Sequence, residues 1–161
     1  MKTSQTLALL LSLLPISTSA QNADSKAALA SFLNFVKEAK LEEAAAITLS
    51  KPGEKTASSE RVQQLIKRSK ENQSSSEIVE AKELGTVARV IVKDSAKRPD
   101  GKSDYDGILM IKREGVWKIV INANEIENTP SLTDSNERKA LSELRLWQNE
   151  KMKALSTPST P

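Results

Sequence analysis

The chain has 161 residues, of which 38% are apolar, 28% are charged and only 3% are aromatic. This length and composition suit one domain with a modest, mainly aliphatic core. The chain contains no cysteine and no histidine, which excludes disulfides, thiol nucleophiles, thiolate metal sites and histidine-based catalysis. The formal net charge of +3 is small and both signs are interspersed, so we predict no nucleic-acid binding, which usually requires clustered basic residues.

The first twenty residues have the pattern of a secretory signal peptide. Lys2 gives a positive start, the apolar run LALLLSLL follows, and the small residues Thr18-Ser19-Ala20 precede the expected cleavage point. Because the apolar run is too short to span a bilayer as a helix, we favour a cleaved signal over an uncleaved anchor. We therefore predict a signal peptide at residues 1–20 and a mature chain that is secreted or periplasmic, with no stable membrane anchor.

Helical patterns occupy residues 24 to 71. Asp24 or Ser25 can cap a first helix, whose apolar residues recur at helical spacing. These are Leu29, Phe32, Leu33 and Val36. A second helix is predicted over residues 40–49 and a third over residues 60–71, separated by the breaker Pro52-Gly53. The third helix is rich in basic residues, which we interpret as a solvated face because no aromatic side chain interleaves them.

A four-stranded sheet is predicted from the β-branched residues that follow. The strands are placed at residues 77–84, 86–93, 105–112 and 116–122. The turn Arg113-Glu114-Gly115 joins the last two strands, because its glycine supplies the positive φ of a tight hairpin. Pro99-Asp100-Gly101 predicts another turn in the loop before the third strand. The first strand has polar residues on both faces, which is typical of a sheet edge.

The chain is predicted to end in a helix and a disordered tail. Asp134 and Glu137 have the spacing of a capping box, so we place the C-terminal helix at residues 134–155 and the tail at residues 156–161. Its apolar strip must pack against its own sheet or against another chain, since a lone amphipathic helix is marginal in water. We favour the second option, with Leu144 and Trp147 as candidates for the partner interface.

The order of these elements and two motifs resemble a known superfamily. FLNFVKEAKLEEAAAI at residues 32–47 and IKREGVWKIV at residues 111–120 are similar to motifs of the nuclear transport factor 2-like (cystatin-like cone) superfamily. Within it, the chain resembles the exported lumazine-binding-like domains of unknown function. The resemblance covers residues 26–122 and implies an α+β domain at residues 24–124. In such a domain, N-terminal helices pack on a strongly curved antiparallel sheet shaped like a cone.

An acidic cluster before the third strand has part of the pattern of a calcium loop. Asp104 and Asp106 are followed by Gly107, but Lys102 and Arg113 occupy positions where such a loop needs carboxylate ligands. We therefore predict no metal site, and no cofactor.

The inside of the cone is the predicted location of any ligand pocket. The resemblance implies that ketosteroid-isomerase-like relatives need an aspartate base and an oxyanion donor there. Tyr105 with Asp106 offers that pair of residue types. Met110 and Trp117 complete the candidate pocket residues, although Trp117 has isoleucines two and four residues later, as a core residue would. No paired acid/base set is visible, so no catalytic residue is assigned.

Three functions stay open at this point. The favoured one is an exported, non-catalytic domain that binds a protein partner or forms a homodimer. The alternatives are a binder of a small apolar ligand in the cone, and a cofactor-independent isomerase or hydrolase. A cavity with a buried carboxylate would favour the enzyme, and an aliphatic cavity without titratable groups would favour the small ligand. A filled cone would favour the protein partner.

Overall fold

A computed structural model describes residues 24–49, 55–72, 75–95, 104–121 and 134–156. The elements, in chain order, are α1 (Ser25–Lys37), α2 (Leu41–Ala46), α3 (Lys55–Asn72), β1 (Ser76–Leu84), β2 (Val87–Asp94), β3 (Asp104–Arg113), β4 (Val116–Val120) and α4 (Ser135–Ser156). The predicted α+β class is confirmed. The predicted signal peptide, the Pro99-Asp100-Gly101 turn and the tail after Ser156 lie outside the described residues.

The four strands form one antiparallel sheet in the order β1-β2-β3-β4, which is curled but not closed. Each strand pairs with the next one along the chain, and two-residue turns set the register between β1 and β2 and between β3 and β4. Between β3 and β4, Glu114 and Gly115 have φ values of 52° and 81°. Two successive positive φ values are the pattern of a type I′ turn, whose twist matches that of the strands. The tight hairpin predicted here is confirmed.

The two edges of the sheet differ. The outer edge of β4 is covered by the segment after α2, since Ile119 N–H donates to the Ile47 carbonyl and Leu49 N–H donates to the Ile119 carbonyl, both at 2.8 Å. Residues 47–49 therefore leave the helical path, and α2 is shorter than the predicted helix over residues 40–49. β1 forms the opposite edge, as its polar pattern indicated.

Helices cover both faces of the sheet. On one face, α1, α2 and α3 pack over alternate residues of the strands. That first core contains Leu29, Phe32, Val36, Ala44, Val62, Ile66, Ala88, Val90, Val92, Met110, Trp117 and Ile119. On the other face, α4 packs over the intervening residues. That second core contains Val87, Leu109, Ile111, Val120, Leu141 and Leu144. The first six residues of β2 are consequently all buried.

The position of α4 corrects the prediction that this helix pairs with another chain. Leu144 is fully buried against the sheet of its own chain, together with Val87 and Leu109. The apolar strip of the helix therefore packs within the molecule, on the face of the sheet opposite α1, α2 and α3. Trp147 is half-buried on the same helix, and Leu146 is 66% exposed.

Both ends of α1 have defined caps. Asp24 caps α1 as predicted, because its Oδ1 accepts a hydrogen bond from Ala27 N–H at 2.8 Å. At the other end of α1, Lys40 N–H donates to the Phe35 carbonyl at 2.8 Å, and Ala39 N–H donates to the Val36 carbonyl at 3.2 Å. This is a Schellman ending, in which Ala39 takes the position usually held by glycine, with a φ of 60°.

Candidate functional site

An open groove of about 1220 Å³ lies between the helices of the first core and the strands. Its walls are the C-terminal halves of α1 and α3 on one side. On the other side are the start of β1, the end of β2 and the start of β3. This site, called the groove below, lies on the side of the sheet opposite α4.

The floor of the groove is aliphatic except for one phenylalanine. It is formed by Phe32, Leu33, Val36, Leu65, Ile78, Val92 and Ile108. The helical residues reach it because they recur three and four positions apart. The strand residues reach it because they alternate along their strands, and Val90 and Val92 pair with Ile108 and Asp106 in register. The same periodicities that build the first core therefore continue into the groove.

Charged side chains form the rim. Lys37 from α1, with Arg68 and Lys70 from α3, lines the helical side, and all three are exposed. Asp94, Asp104 and Asp106 line the strand side. Because Asp94 pairs directly with Asp104 in the ladder, two like charges lie side by side, an arrangement that is destabilising unless other groups offset it.

The acids and the bases of the rim differ in how they are satisfied. Asp106 accepts a hydrogen bond from Gly107 N–H at 2.7 Å, and Asp94 and Asp104 each have an interaction partner of their own. In contrast, no ion pair or hydrogen bond within the described chain engages the side chains of Lys37, Arg68 or Lys70. The charged groups of the rim that lack a hydrogen bond or ion pair within the described chain are therefore the cations of the helical side.

The structure separates the four predicted pocket residues into two pairs. Tyr105 and Asp106 border the groove. Met110 and Trp117 do not line it, because they lie in the first core, where they are 0% and 3% exposed. The Lys112 ammonium lies 5.5 Å from the centre of the Trp117 ring and covers it from solvent. Trp117 is thus a core residue, as its spacing to the isoleucines suggested.

The groove offers little for acid–base catalysis. Among the described residues that line it, every titratable side chain is exposed or half-buried, and none is enclosed by apolar atoms. Tyr105 and Asp106 are successive residues of β3, so their side chains point to opposite faces of the sheet and cannot act on one substrate atom together. Across the described ranges, no group of three carboxylates is arranged to hold a metal ion.

The buried carboxyl group of Glu137 lies away from the groove, at the start of α4. Burial would raise the pKa of this carboxyl, but hydrogen bonds from Arg113, Thr86 and the Asp134 N–H outweigh that effect and lower it. Glu137 N–H donates in turn to Asp134 Oδ1 at 2.8 Å, which confirms the predicted capping box. This site anchors a helix, and none of its residues lines the groove.

Sequence reasoning missed the helical side of the rim. Arg68 and Lys70 were interpreted as part of a solvated helix face, and they are exposed as expected. Their role at the rim depends on how α3 lies against the ends of β2 and β3, which no local pattern specifies. No local signal in the sequence indicates this role, because Glu71 lies only three residues after Arg68.

Comparisons with known proteins give fold-level likenesses. No protein family and no curated protein matches the chain in sequence. A solved structure from Campylobacter jejuni, described as a candidate NTF2-like transpeptidase, is similar with a TM-score of 0.46 and 10% identity, covering 61% of this chain and 99% of that one. A second, from Xanthomonas campestris, is described as a candidate calcium/calmodulin dependent protein kinase II association domain. Its TM-score is 0.38 at 11% identity, covering 58% of this chain and 79% of that one.

None of the helices in the described ranges combines the length and the apolar character that crossing a bilayer requires.

Proposed function

We propose that the chain is a non-catalytic binding domain that holds an apolar segment of a protein partner in the groove. The observation that carries this proposal is the combination of an aliphatic floor with an exposed, charged rim. Apolar surface at the centre with polar groups around it is the usual anatomy of a protein-binding site. Leu33 and Leu65 are half-buried on the floor, so each has apolar area that a partner can cover.

The size and the openness of the groove favour a protein segment over a small ligand. Small-molecule sites usually measure about 300–1,000 Å³ and enclose most of the ligand surface. The groove exceeds this range at about 1220 Å³ and is open to solvent. Small-molecule sites also aim a few polar groups inward to orient the ligand, whereas the charged groups here stand on the rim.

We also propose that the protein acts outside the cytoplasm. The support is the signal-peptide pattern of residues 1–20. An exported domain without cysteine has no disulfide to stabilise it.

Site-specific photo-crosslinking in the producing cell tests the proposal. A photoreactive amino acid replaces Leu65, on the groove floor, and the matched control carries it at Leu146, which is 66% exposed on α4. We expect a discrete crosslinked product of higher mass from the Leu65 position and none from the Leu146 position. A product containing two copies of the chain would identify self-association through the groove.

Native mass spectrometry of the protein recovered from its own envelope extract tests the alternative, that the groove holds a small molecule. A retained small molecule, together with no crosslink at Leu65, would replace the partner by a ligand. Equal crosslinking at both positions would show non-specific proximity and would overturn the proposal.

A further inference from the structure

We infer that the partner segment is anionic, with aspartate or glutamate side chains that contact the cations of the groove rim. This inference rests on the proposed function and adds the chemistry of the partner. It assigns the apolar residues of the segment to the floor and its carboxylates to Lys37, Arg68 and Lys70.

The charge balance of the rim supports this assignment. The three aspartates on the strand side already have hydrogen-bond or electrostatic partners in the chain. Across the described ranges, no hydrogen bond or ion pair engages the three cations on the helical side, and all are exposed. A segment that brings negative charge to the helical side therefore gains attraction without having to displace an existing ion pair.

The other cations of the same helices are arranged differently. Lys40 lies 2.7 Å from Glu38, and Lys67 lies 3.9 Å from Glu71, one turn along α3. Arg68, next to Lys67, lines the groove and forms no ion pair with a carboxylate among the described residues. Since a guanidinium can donate two parallel hydrogen bonds to one carboxylate, Arg68 is the strongest candidate for a specific contact.

Helix polarity explains part of the pattern. Lys37 and Lys70 lie in the last turns of α1 and α3, where cations are favoured by the partial negative charge of the free carbonyl groups. That effect accounts for lysines at these positions whether or not a partner binds. It does not explain why Lys37, Arg68 and Lys70 all line one apolar groove. A binding assay can test whether this arrangement recognises negative charge.

The probes are three labelled peptides with the same helical pattern of leucines, and with glutamate, glutamine or lysine on the polar face. Binding to the purified protein is followed by fluorescence anisotropy. We expect the glutamate peptide to bind about tenfold more tightly than the glutamine peptide, because three exposed ion pairs each contribute a modest free energy. The preference should decrease as salt is added.

Two triple variants separate groove binding from the attraction of net charge. The groove variant combines Lys37→Gln, Arg68→Gln and Lys70→Gln. The control variant removes the same number of charges from exposed positions that do not line the groove: Lys26→Gln, Lys67→Gln and Lys139→Gln. The groove variant should lose the tenfold preference, and the control variant should keep it. Loss of the preference in both variants would show a net-charge effect and would overturn the inference.

The remaining outcomes distinguish the two proposals. If all three peptides bind equally and Leu65→Gln weakens each of them, the groove binds a segment without charge preference, and only the anionic inference fails. If no peptide binds, the proposed function fails with it. If dodecanoate binds and the peptides do not, the site takes a small amphiphile, and the protein partner is overturned.

Discussion

The start of α4 allows the sharpest test of how the second face of the sheet is held. Glu137 is 7% exposed and links three parts of the molecule. Its carboxylate accepts two hydrogen bonds from Arg113 of β3, one of them at 3.0 Å. It also accepts one from Thr86 Oγ1, in the β1–β2 turn, at 2.8 Å. The substitution Glu137→Gln keeps the shape of this side chain but removes its charge and replaces one acceptor oxygen by a donor.

We expect Glu137→Gln to lower the free energy of unfolding by about 2 kcal/mol at neutral pH. Hydrogen bonds to charged groups contribute roughly 1.5–3 kcal/mol, and the reciprocal cap adds up to about 1 kcal/mol. The Arg113 side chain is 33% exposed, so solvent screens part of the ion pair. The amide also keeps one acceptor oxygen, which places the expected loss towards the lower end of the combined range.

The effect should depend on pH in one direction. The pKa of Glu137 is lowered in the folded protein, so its stabilisation is present above the ordinary pKa of glutamate, about 4.3. The stabilisation is lost as the pH falls through the lowered pKa, since the unfolded chain then binds more protons. The difference between wild type and Glu137→Gln should therefore shrink below about pH 4.

Urea melts followed by tryptophan fluorescence, at neutral pH and in acid, measure both quantities. Glu143→Gln is the control, because Glu143 is exposed on the same helix and its substitution should change stability by less than about 0.5 kcal/mol. Equal melts for the two variants would refute the anchoring role of Glu137. A difference that stays constant down to low pH would refute the electrostatic explanation and leave only packing.

Three further predictions follow from other elements. Leu144→Ala should cost about 2–5 kcal/mol in a urea melt because the side chain is fully buried, whereas Leu146→Ala should cost less than about 0.5 kcal/mol; similar costs would place α4 away from the sheet. Ala39→Gly should raise the free energy of unfolding by up to about 1 kcal/mol, since glycine adopts the φ of 60° found there without a Cβ clash, and a loss of stability would contradict the Schellman ending. Sequencing of the exported protein should begin at Gln21, and an intact Met1 on exported protein would contradict cleavage after Ala20.

The parts of the fold that could be predicted are those specified by neighbouring residues. The turn at Glu114-Gly115 needs two residues with positive φ, and the glycine indicates one of these positions in the sequence. The capping box of α4 depends on Asp134 and Glu137 alone. The β1–β2 and β3–β4 hairpins follow from two-residue connections, in which Leu84 pairs with Val87 and Arg113 with Val116.

The side on which α4 packs could not be predicted, because an apolar strip looks the same whether its complement is inside the molecule or in another chain. The face of β2 that carries Arg89 is also hard to recognise as buried from the sequence, since a buried arginine is uncommon. In the structure Arg89 is 6% exposed and donates to Gln148 Oε1 at 3.0 Å. Gly107 makes room for that glutamine, because a Cβ at this position would collide with the Gln148 side chain.

The candidate site was predicted only in part for a similar reason. Tyr105 and Asp106 were chosen because they offer the residue types of an oxyanion donor and an aspartate base, which can be seen in the sequence alone. Met110 and Trp117 were the other two candidates, but the face of the sheet that carries them is mostly filled by the helices. Where the filling stops and the groove begins depends on the position of α3, and hence on contacts between residues far apart in sequence.

The presence of helical layers on both faces has a consequence for the order in which the molecule is completed during synthesis. All the residues of the first core precede residue 120, so that face can close once β4 has emerged. The opposite face displays Val87, Leu109 and Ile111 to solvent until Leu141 and Leu144 have been made. A nascent chain therefore passes through a stage in which one face of the sheet is packed and the other exposes apolar side chains. In that interval it is most prone to aggregation and to binding by chaperones.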